Sequence, residues 1–140
     1  MSAINWGRVV GGGLAAGLVM NISQFVLNAV VYAKESEEAM RRLNLQPPPP
    51  AAIGIFIGMT FVVGVFLVWF YAAIRPRYGA GPKTALCAGF SVWFLARFLS
   101  SVVYVASGIF PAGLVFGATA WGLVEVMLAA LLGGWLYQEA

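Results

Sequence analysis

Four long stretches of the chain are apolar with few interruptions, and short polar segments separate them. The stretches cover roughly residues 9–33, 51–74, 84–106 and 114–137. Each is longer than about 20 residues, which is enough for a helix to cross the ~30 Å hydrocarbon core of a bilayer. Because lipid offers the backbone no hydrogen-bonding partner, such continuous runs predict helices, and they lack the alternation of a membrane barrel. The pattern therefore predicts an all-α integral membrane protein, a single-domain bundle of four transmembrane helices.

Composition supports the same class of protein. Of the 140 residues, 61% are hydrophobic and only 9% are charged, whereas soluble domains have about 25% charged residues. The chain has no histidine and one cysteine, Cys87. It therefore lacks the usual proton shuttle, the commonest zinc ligand and any intrachain disulfide. We expect no cofactor, no metal site and no nucleic-acid partner.

Residues 34–46, between spans 1 and 2, are the most strongly charged part of the chain and are called the charged arm below. The arm places Glu37 with Arg41, and Glu38 with Arg42, four residues apart in the order that stabilises a helix. We expect a helix outside the membrane that continues span 1 or bends onto the surface. It is either a solvated hairpin arm or a docking element for a partner. The four consecutive prolines that follow predict an extended polyproline segment leading into span 2.

The loop between spans 2 and 3 carries three cations, Arg75, Arg77 and Lys83, and no anion. We expect these side chains to face anionic lipid headgroups rather than to bind a ligand. Cationic segments favour the cytoplasmic side of a membrane. Together with Arg8, the cluster therefore predicts that both termini are cytoplasmic and that the charged arm lies outside.

Two ionisable residues lie deep inside the apolar stretches, Arg97 in span 3 and Glu125 in span 4. A short loop joins these spans, so we expect them to be antiparallel neighbours that hold the two residues at similar depth. An unpaired charge at that depth costs about 2.5–3.5 kcal/mol on insertion scales. We therefore predict that Arg97 and Glu125 form an ion pair inside the bundle.

Polar and small residues share helix faces with this pair. We expect Asn21, Gln24 and Asn28 in span 1, with Ser101 and Tyr104 in span 3, to form a supporting polar cluster. Asn21 and Gln24, or Tyr104, are expected to complete the hydrogen bonding of the pair. Small residues let helices approach closely in lipid. Those expected at helix contacts are Gly13 and Gly17 in span 1, Gly54 and Gly58 in span 2, and Ala118, Gly122, Ala129 and Gly133 in span 4.

Aromatic residues concentrate near the ends of the spans, where their amphipathic rings are typical anchors at the membrane interface. The residues expected in this role are Trp6, Trp69, Tyr71, Tyr78, Trp135 and Tyr137. Trp93 and Trp121 fall deeper in their spans and are expected in the core.

The segment 71–84, Tyr-Ala-Ala-Ile-Arg-Pro-Arg-Tyr-Gly-Ala-Gly-Pro-Lys-Thr, resembles a loop found in a family of short, uncharacterised bacterial membrane proteins. The Asn-Trp-Gly-Arg start at 5–8, Trp-Gly-Leu-Val-Glu at 121–125 and the end of the chain at 134–140 resemble the same family. The likeness covers most of the chain. It implies a four-span protein of the bacterial inner membrane and brings no known activity or catalytic residues.

The function of the predicted pair stays open at this point. In the first interpretation the pair fixes which helices pack together. The chain is then a non-catalytic accessory or assembly subunit of a larger membrane complex, in contact with lipid and with other subunits or a second copy. The alternative is a small dimeric transporter or channel with Arg97 and Glu125 at the substrate or proton site. No nucleophile–base pair, metal cluster or phosphate-binding loop is visible, so we do not expect an enzyme.

Overall fold

The computed structural model describes residues 3–139. This part of the chain is 84% helical and contains no strand, which confirms the all-α prediction. Four helices are long and apolar enough to cross a membrane: α1 (Trp6–Val31), α3 (Pro50–Tyr78), α4 (Pro82–Ala106) and α5 (Ala112–Leu136). The charged arm contains a shorter helix, α2 (Ala33–Arg42). The four predicted spans thus correspond to four helices of the bundle.

The charged arm folds as its sequence predicts. Arg41 and Arg42 contact Glu37 and Glu38 at 3.1 and 3.2 Å. All four side chains are largely exposed, so the two pairs add little stability. A bend at Tyr32 separates α2 from α1. Residues 45–49 lie outside the helices, with Pro49 in an extended conformation, and Pro50 is already the first residue of α3.

α3 is longer at its carboxyl end than the sequence indicated. Arg75 and Arg77 lie in its last turns rather than in a loop, and only residues 79–81 separate α3 from α4. Pro76 does not end the helix, because it removes only its own N–H and the N–H of Gly79 still bonds the carbonyl of Arg75 at 2.8 Å. Gly79, with φ of +85°, stops the helix.

The closest helix contact is between α1 and α3, and it depends on glycine. A methyl group at Gly17 would lie 2.9 Å from the Cα of Phe61, and one at Gly13 would lie 2.8 Å from the backbone N of Val65. A methyl group at Gly64 would lie 2.7 Å from the backbone N of Gly17. The two backbones therefore touch directly, as expected for small residues between helices in lipid.

Most of the predicted small face of α5 is buried, since Gly122, Glu125, Ala129 and Gly133 all lie inside the bundle. Ala118, expected on the same face, is only half-buried. The same expectation for Gly54 and Gly58 is wrong. A methyl group at either position would have no atom within 4 Å, because the first half of α3 diverges from its neighbours.

The bundle has two unequal halves. The termini half contains the first part of α1, the last part of α3, the first part of α4 and the last part of α5, and the arm half contains the other parts of these helices with the charged arm. The termini half is closely packed, whereas none of residues 51–59 at the start of α3 is buried in the arm half. α1 and α3 thus form a V that closes near Gly17 and opens toward the charged arm. The buried apolar residues of the core are Val9, Ala16, Met20, Leu67, Val68, Tyr71, Ala72, Ala85, Ala88, Val92, Trp93, Val126, Ala129, Ala130 and Tyr137.

Candidate functional site

Glu125 lies at the junction of the two halves, with no part of its side chain exposed. Its Oε2 atom accepts hydrogen bonds from the Ser23 hydroxyl and the Gln24 amide, both at 2.8 Å. Its Oε1 atom accepts one from a terminal nitrogen of Arg97 at 3.4 Å. The structure therefore brings the two predicted charges together. All three neighbours donate, which suits an ionised carboxylate because that group can only accept.

A further hydrogen bond between α1 and α5 fixes the position of the Ser23 hydroxyl beside Glu125. The indole N–H of Trp121 donates to the Ser23 hydroxyl at 2.8 Å. An indole nitrogen can only donate, so the Ser23 oxygen accepts from Trp121 and its proton is directed to Glu125. We did not predict Ser23 in the site, and the prediction that Trp121 lies in the core is wrong, because its side chain is partly exposed. The one sequence signal was the spacing of four between Trp121 and Glu125, which places them on one helix face.

Arg97 is bound less completely than Glu125. Its side chain is 33% exposed, and the contact with Glu125 is its one hydrogen bond within residues 3–139. Its other terminal nitrogen lies over Gly122, where a methyl group would approach to 3.5 Å. A guanidinium group carries five N–H donors. Most donors of Arg97 are therefore unused by the protein, and they face open space.

This open space consists of three clefts in the arm half, and Arg97 lines all of them. The α1–α3 cleft has a volume of about 720 Å³. The α1–α5 cleft, between the end of α1 and the facing parts of α4 and α5, has about 390 Å³. The α3–α4 cleft has about 350 Å³. The clefts converge on the cationic member of the pair, whereas Glu125 lines none of them.

Two of the clefts have a line of polar side chains. Asn21, Gln24, Asn28 and Thr60 line the α1–α3 cleft among apolar residues. The α1–α5 cleft is lined by Asn28 together with the polar residues Tyr32, Ser36, Ser100, Ser101, Tyr104 and Thr119. The predicted supporting cluster is therefore found mainly in the cleft walls.

The prediction that Asn21 and Gln24, or Tyr104, complete the hydrogen bonding of the ion pair is only partly confirmed. Gln24 bonds Glu125 directly, but Asn21 donates to the carbonyl of Ile57 at 3.4 Å. This difference arises because α1 contacts both α3 and α5, and a helix turns about 100° per residue. The ring of Tyr104 packs against Phe110 instead of reaching the pair.

The other members of the predicted cluster bond within their own helices. Asn28 donates to the carbonyl of Gln24 at 2.8 Å, and Ser101 donates to the carbonyl of Phe98 at 2.7 Å. Neither side chain contacts Arg97 or Glu125 through a hydrogen bond that the structure shows.

Two π-helical turns lie beside the clefts. One, Leu27–Val31, contains Asn28, and the other, Phe94–Phe98, contains Arg97. A π turn inserts one extra residue into the helix and changes the direction of the side chains that follow, and such turns are frequent at functional sites. The regular spacing that grouped Arg97 with Ser101 and Tyr104 therefore does not hold in α4.

Among the three predicted headgroup-facing cations, Arg77 and Lys83 are exposed, but Arg75 is not free to face lipid. Its Nε atom lies 3.8 Å from a carboxylate oxygen of Glu139, and its guanidinium lies 5.5 Å from the ring centre of Tyr137. The prediction for Arg75 is wrong because α3 continues past it and packs on the end of α5.

The predicted aromatic anchors also differ in exposure, and Trp69 is half-buried against the core. Trp6, Tyr78 and Trp135 are exposed. Tyr71 and Tyr137 are buried between helices and were wrongly expected at an interface. Their hydroxyls accept backbone N–H groups of Gly81 at 3.2 Å and Asn5 at 3.3 Å, which ties the helix ends of the termini half together. Among the deeper residues, Trp93 is in the core and donates to the carbonyl of Thr119 at 2.9 Å.

Comparison of the chain with protein-family models, curated proteins and solved structures gives no match. Within residues 3–139, no group of His, Cys, Asp and Glu side chains is placed to hold a metal ion. The site is an enclosed carboxylate paired with a cation that faces open clefts.

Proposed function

We propose that this chain is a small, non-catalytic integral membrane protein of the transporter type, with the Arg97–Glu125 pair at the bottom of its entry cleft. The observation that carries the proposal is the unequal exposure of the pair. A pair that only fixed helix packing would be enclosed on both sides, and this one is enclosed only around Glu125. Guanidinium donors without protein acceptors are costly in lipid, so the clefts must supply water or a ligand.

The opposite side of the pair supports a transporter over an open channel. Val9, Leu67 and Val68 are fully buried side chains of the termini half. The glycine contacts of α1 and α3 leave no space between those helices. Access is therefore open from the arm half and closed from the termini half, as in one state of an alternating-access transporter.

A second candidate function is that of an accessory or assembly subunit. It is favoured by the first half of α3, where Ile53, Ile55, Phe56 and Met59 are exposed and the Gly54 and Gly58 backbone is open. A helix of another subunit, or of a second copy, could approach closely at such a surface. In an accessory subunit of this kind, lipid covers the remaining apolar surface.

We further propose a bacterial inner-membrane location with both termini in the cytoplasm and the charged arm outside. Arg8, Arg77 and Lys83 support this orientation, because they are exposed at the same end of the bundle. The family resemblance of the segment 71–84 supports the bacterial assignment. No cofactor and no nucleic-acid partner are part of the proposal.

Cysteine accessibility tests the entry cleft directly. In a Cys87→Ala background, Asn28→Cys and Ser100→Cys place thiols in the cleft walls. Val30→Cys is a control at a similar level of α1 that is exposed but lines none of the three clefts. Leu67→Cys is a buried control that lines none of the three clefts. Each variant is treated in intact cells with a membrane-impermeant maleimide, which reacts only with thiols in water.

We expect the two cleft thiols to react from outside and the thiols at positions 30 and 67 to remain unmodified. If the cleft thiols react no faster than the thiol at position 30, water does not enter and the transporter proposal is overturned. Native-detergent purification then becomes the decisive measurement. A defined membrane subunit that co-purifies, and that is lost in a Gly54→Leu/Gly58→Leu variant, would establish the second candidate.

A further inference from the structure

We infer that the clefts bind a single-chain amphiphile with one anionic head, a carboxylate or a phosphate monoester, and that Arg97 holds the head. This inference rests on the proposed function and names the ligand class of the same site. It follows from the charge of the clefts, from their hydrogen-bonding groups and from the shape and polarity of their walls.

A ligand in the clefts can reach only the cationic member of the ion pair. Arg97 lines all three clefts, and no aspartate, glutamate or lysine lines any of them. Glu125 is fully enclosed, and both of its oxygens already accept hydrogen bonds from protein groups. A ligand therefore meets unused guanidinium donors and no competing anion. Guanidinium N–H groups bind carboxylate and phosphate oxygens through strong charge-assisted hydrogen bonds.

Neutral polar groups surround this cation on the cleft side. Asn28 lines the two clefts on either side of α1, and Thr60 lines the two clefts on either side of α3. Ser100 and Tyr104 lie on the wall formed by α4. The Thr60 and Ser100 hydroxyls donate to carbonyls of their own helices. The Tyr104 hydroxyl and the second N–H of the Asn28 amide can therefore donate to the remaining oxygens of an anionic head.

The walls beyond these polar groups are apolar, which argues against a small inorganic ion. The α1–α3 cleft is lined by the apolar side chains of Leu18, Phe25, Ala29, Ile53, Phe56, Ile57 and Phe61. In the α3–α4 cleft only Thr60 and Arg97 are polar. A volume of about 720 Å³ is within the usual range of small-molecule sites. An apolar tail would cover walls that a hydrated ion would leave exposed to water.

The test compares probes that share a twelve-carbon chain and differ in the charge of the head. The full-length protein is placed in nanodiscs of zwitterionic lipid, with empty nanodiscs as the blank. Radiolabelled dodecanoate is bound at equilibrium and displaced by dodecyl phosphate, dodecanol or dodecyltrimethylammonium. We expect displacement by dodecyl phosphate at a concentration at least about ten-fold lower than by the neutral or cationic probe, the effect of one charge-assisted contact.

Variants assign the contact to Arg97. Arg97→Gln alone leaves Glu125 without its cation and can fail to fold, so the principal variant is Arg97→Gln/Glu125→Gln, which replaces the ion pair by two amides. We expect it to lose dodecanoate affinity by about ten-fold or more. Arg75→Gln is the matched control, because this arginine lines none of the clefts described. Helix content by circular dichroism and a single size-exclusion peak establish that each variant is folded.

Three results would overturn the inference. The first is equal displacement by the anionic, neutral and cationic probes, and the second is unchanged affinity in the folded double variant. The third is displacement by anionic two-chain phospholipid as efficient as by dodecanoate, which would assign the cleft to bilayer lipid. If the cleft thiols react with maleimide but no anion is preferred, the proposed function stands and the ligand class is wrong. If the thiols do not react, the proposed function itself fails.

Discussion

Ser23 lies between Trp121 and Glu125, accepting a hydrogen bond from the indole of the first and donating one to the carboxylate of the second, each at 2.8 Å. The hydroxyl thereby joins α1 to two successive turns of α5. The buried carboxylate has its hydrogen bonds supplied from α1, while Arg97 approaches it from α4. The site thus depends on three helices, and the loss of one donor should lower the stability of the bundle.

Replacement of Ser23 by alanine removes both hydrogen bonds at once. Polar contacts between helices in membranes contribute about 0.6 kcal/mol on average and up to about 1.7 kcal/mol. We expect Ser23→Ala to lower the free energy of unfolding by about 1–2 kcal/mol, measured by denaturing-detergent titration. Ser91→Ala is the control, because that hydroxyl bonds only a carbonyl of its own helix turn. Equal stability of the two variants would contradict the role given to Ser23.

A double-mutant cycle on Arg97 and Glu125 measures the coupling of the pair. Each single change to glutamine leaves one charge inside the bundle without its partner, and such losses cost about 3–5 kcal/mol for fully buried pairs. We expect the loss of stability in Arg97→Gln/Glu125→Gln to be smaller than the sum of the losses in the two single variants, by about 1–3 kcal/mol. The measurement is thermal unfolding of the four proteins in the same detergent. Strict additivity would show that the two side chains do not interact.

The contact between α1 and α3 predicts a sharp difference between two glycines of the same helix. Gly64→Ala should cost about 1–3 kcal/mol, because the new methyl group meets the backbones of Gly13 and Gly17. Gly58→Ala should be neutral or stabilising by up to about 1 kcal/mol, because its surroundings are open and alanine favours helix. Unfolding free energies of both variants check this prediction. A Gly58 variant as unstable as the Gly64 variant would show that α3 is covered along its first half.

Arg75 and Arg77 should also behave differently, although they are two residues apart. Arg75 packs on the ring of Tyr137, and cation–π contacts contribute about 0.5–2 kcal/mol. We expect Arg75→Gln to destabilise the protein by about 1 kcal/mol and to speed carboxypeptidase digestion of the C-terminal residues. Arg77→Gln, at an exposed position, should change neither property. Faster digestion in both variants would indicate a general effect of charge at this end of the bundle.

The sequence was a reliable guide wherever a single helix decides the outcome. The four helices, the helical arm with its two ion pairs, and the small face of α5 follow from local spacing and hydrophobicity. The pairing of Arg97 with Glu125 was also predictable, because a short connection and the cost of an isolated buried charge leave few other arrangements.

The errors concern residues whose neighbours come from another helix. Asn21 faces α3 rather than the ion pair, Arg75 folds onto Tyr137, and Gly58 contacts nothing. Ser23 had no distinguishing signal, since a lone serine inside an apolar helix can bond its own backbone equally well. The π turn at Arg97 was also hidden, because it changes the direction of side chains without a mark in the spacing of residues.

By itself, the sequence determined how many helices form and that two opposite charges lie at comparable depth, because hydrophobicity and length act along the chain. Only the tertiary structure decided that α1 and α3 touch at Gly13, Gly17 and Gly64 and then separate. That separation opens the clefts, leaves Arg97 exposed and encloses Glu125. The physical reason is that close packing depends on which helix surfaces meet, and single-chain patterns do not specify the crossing point of two helices.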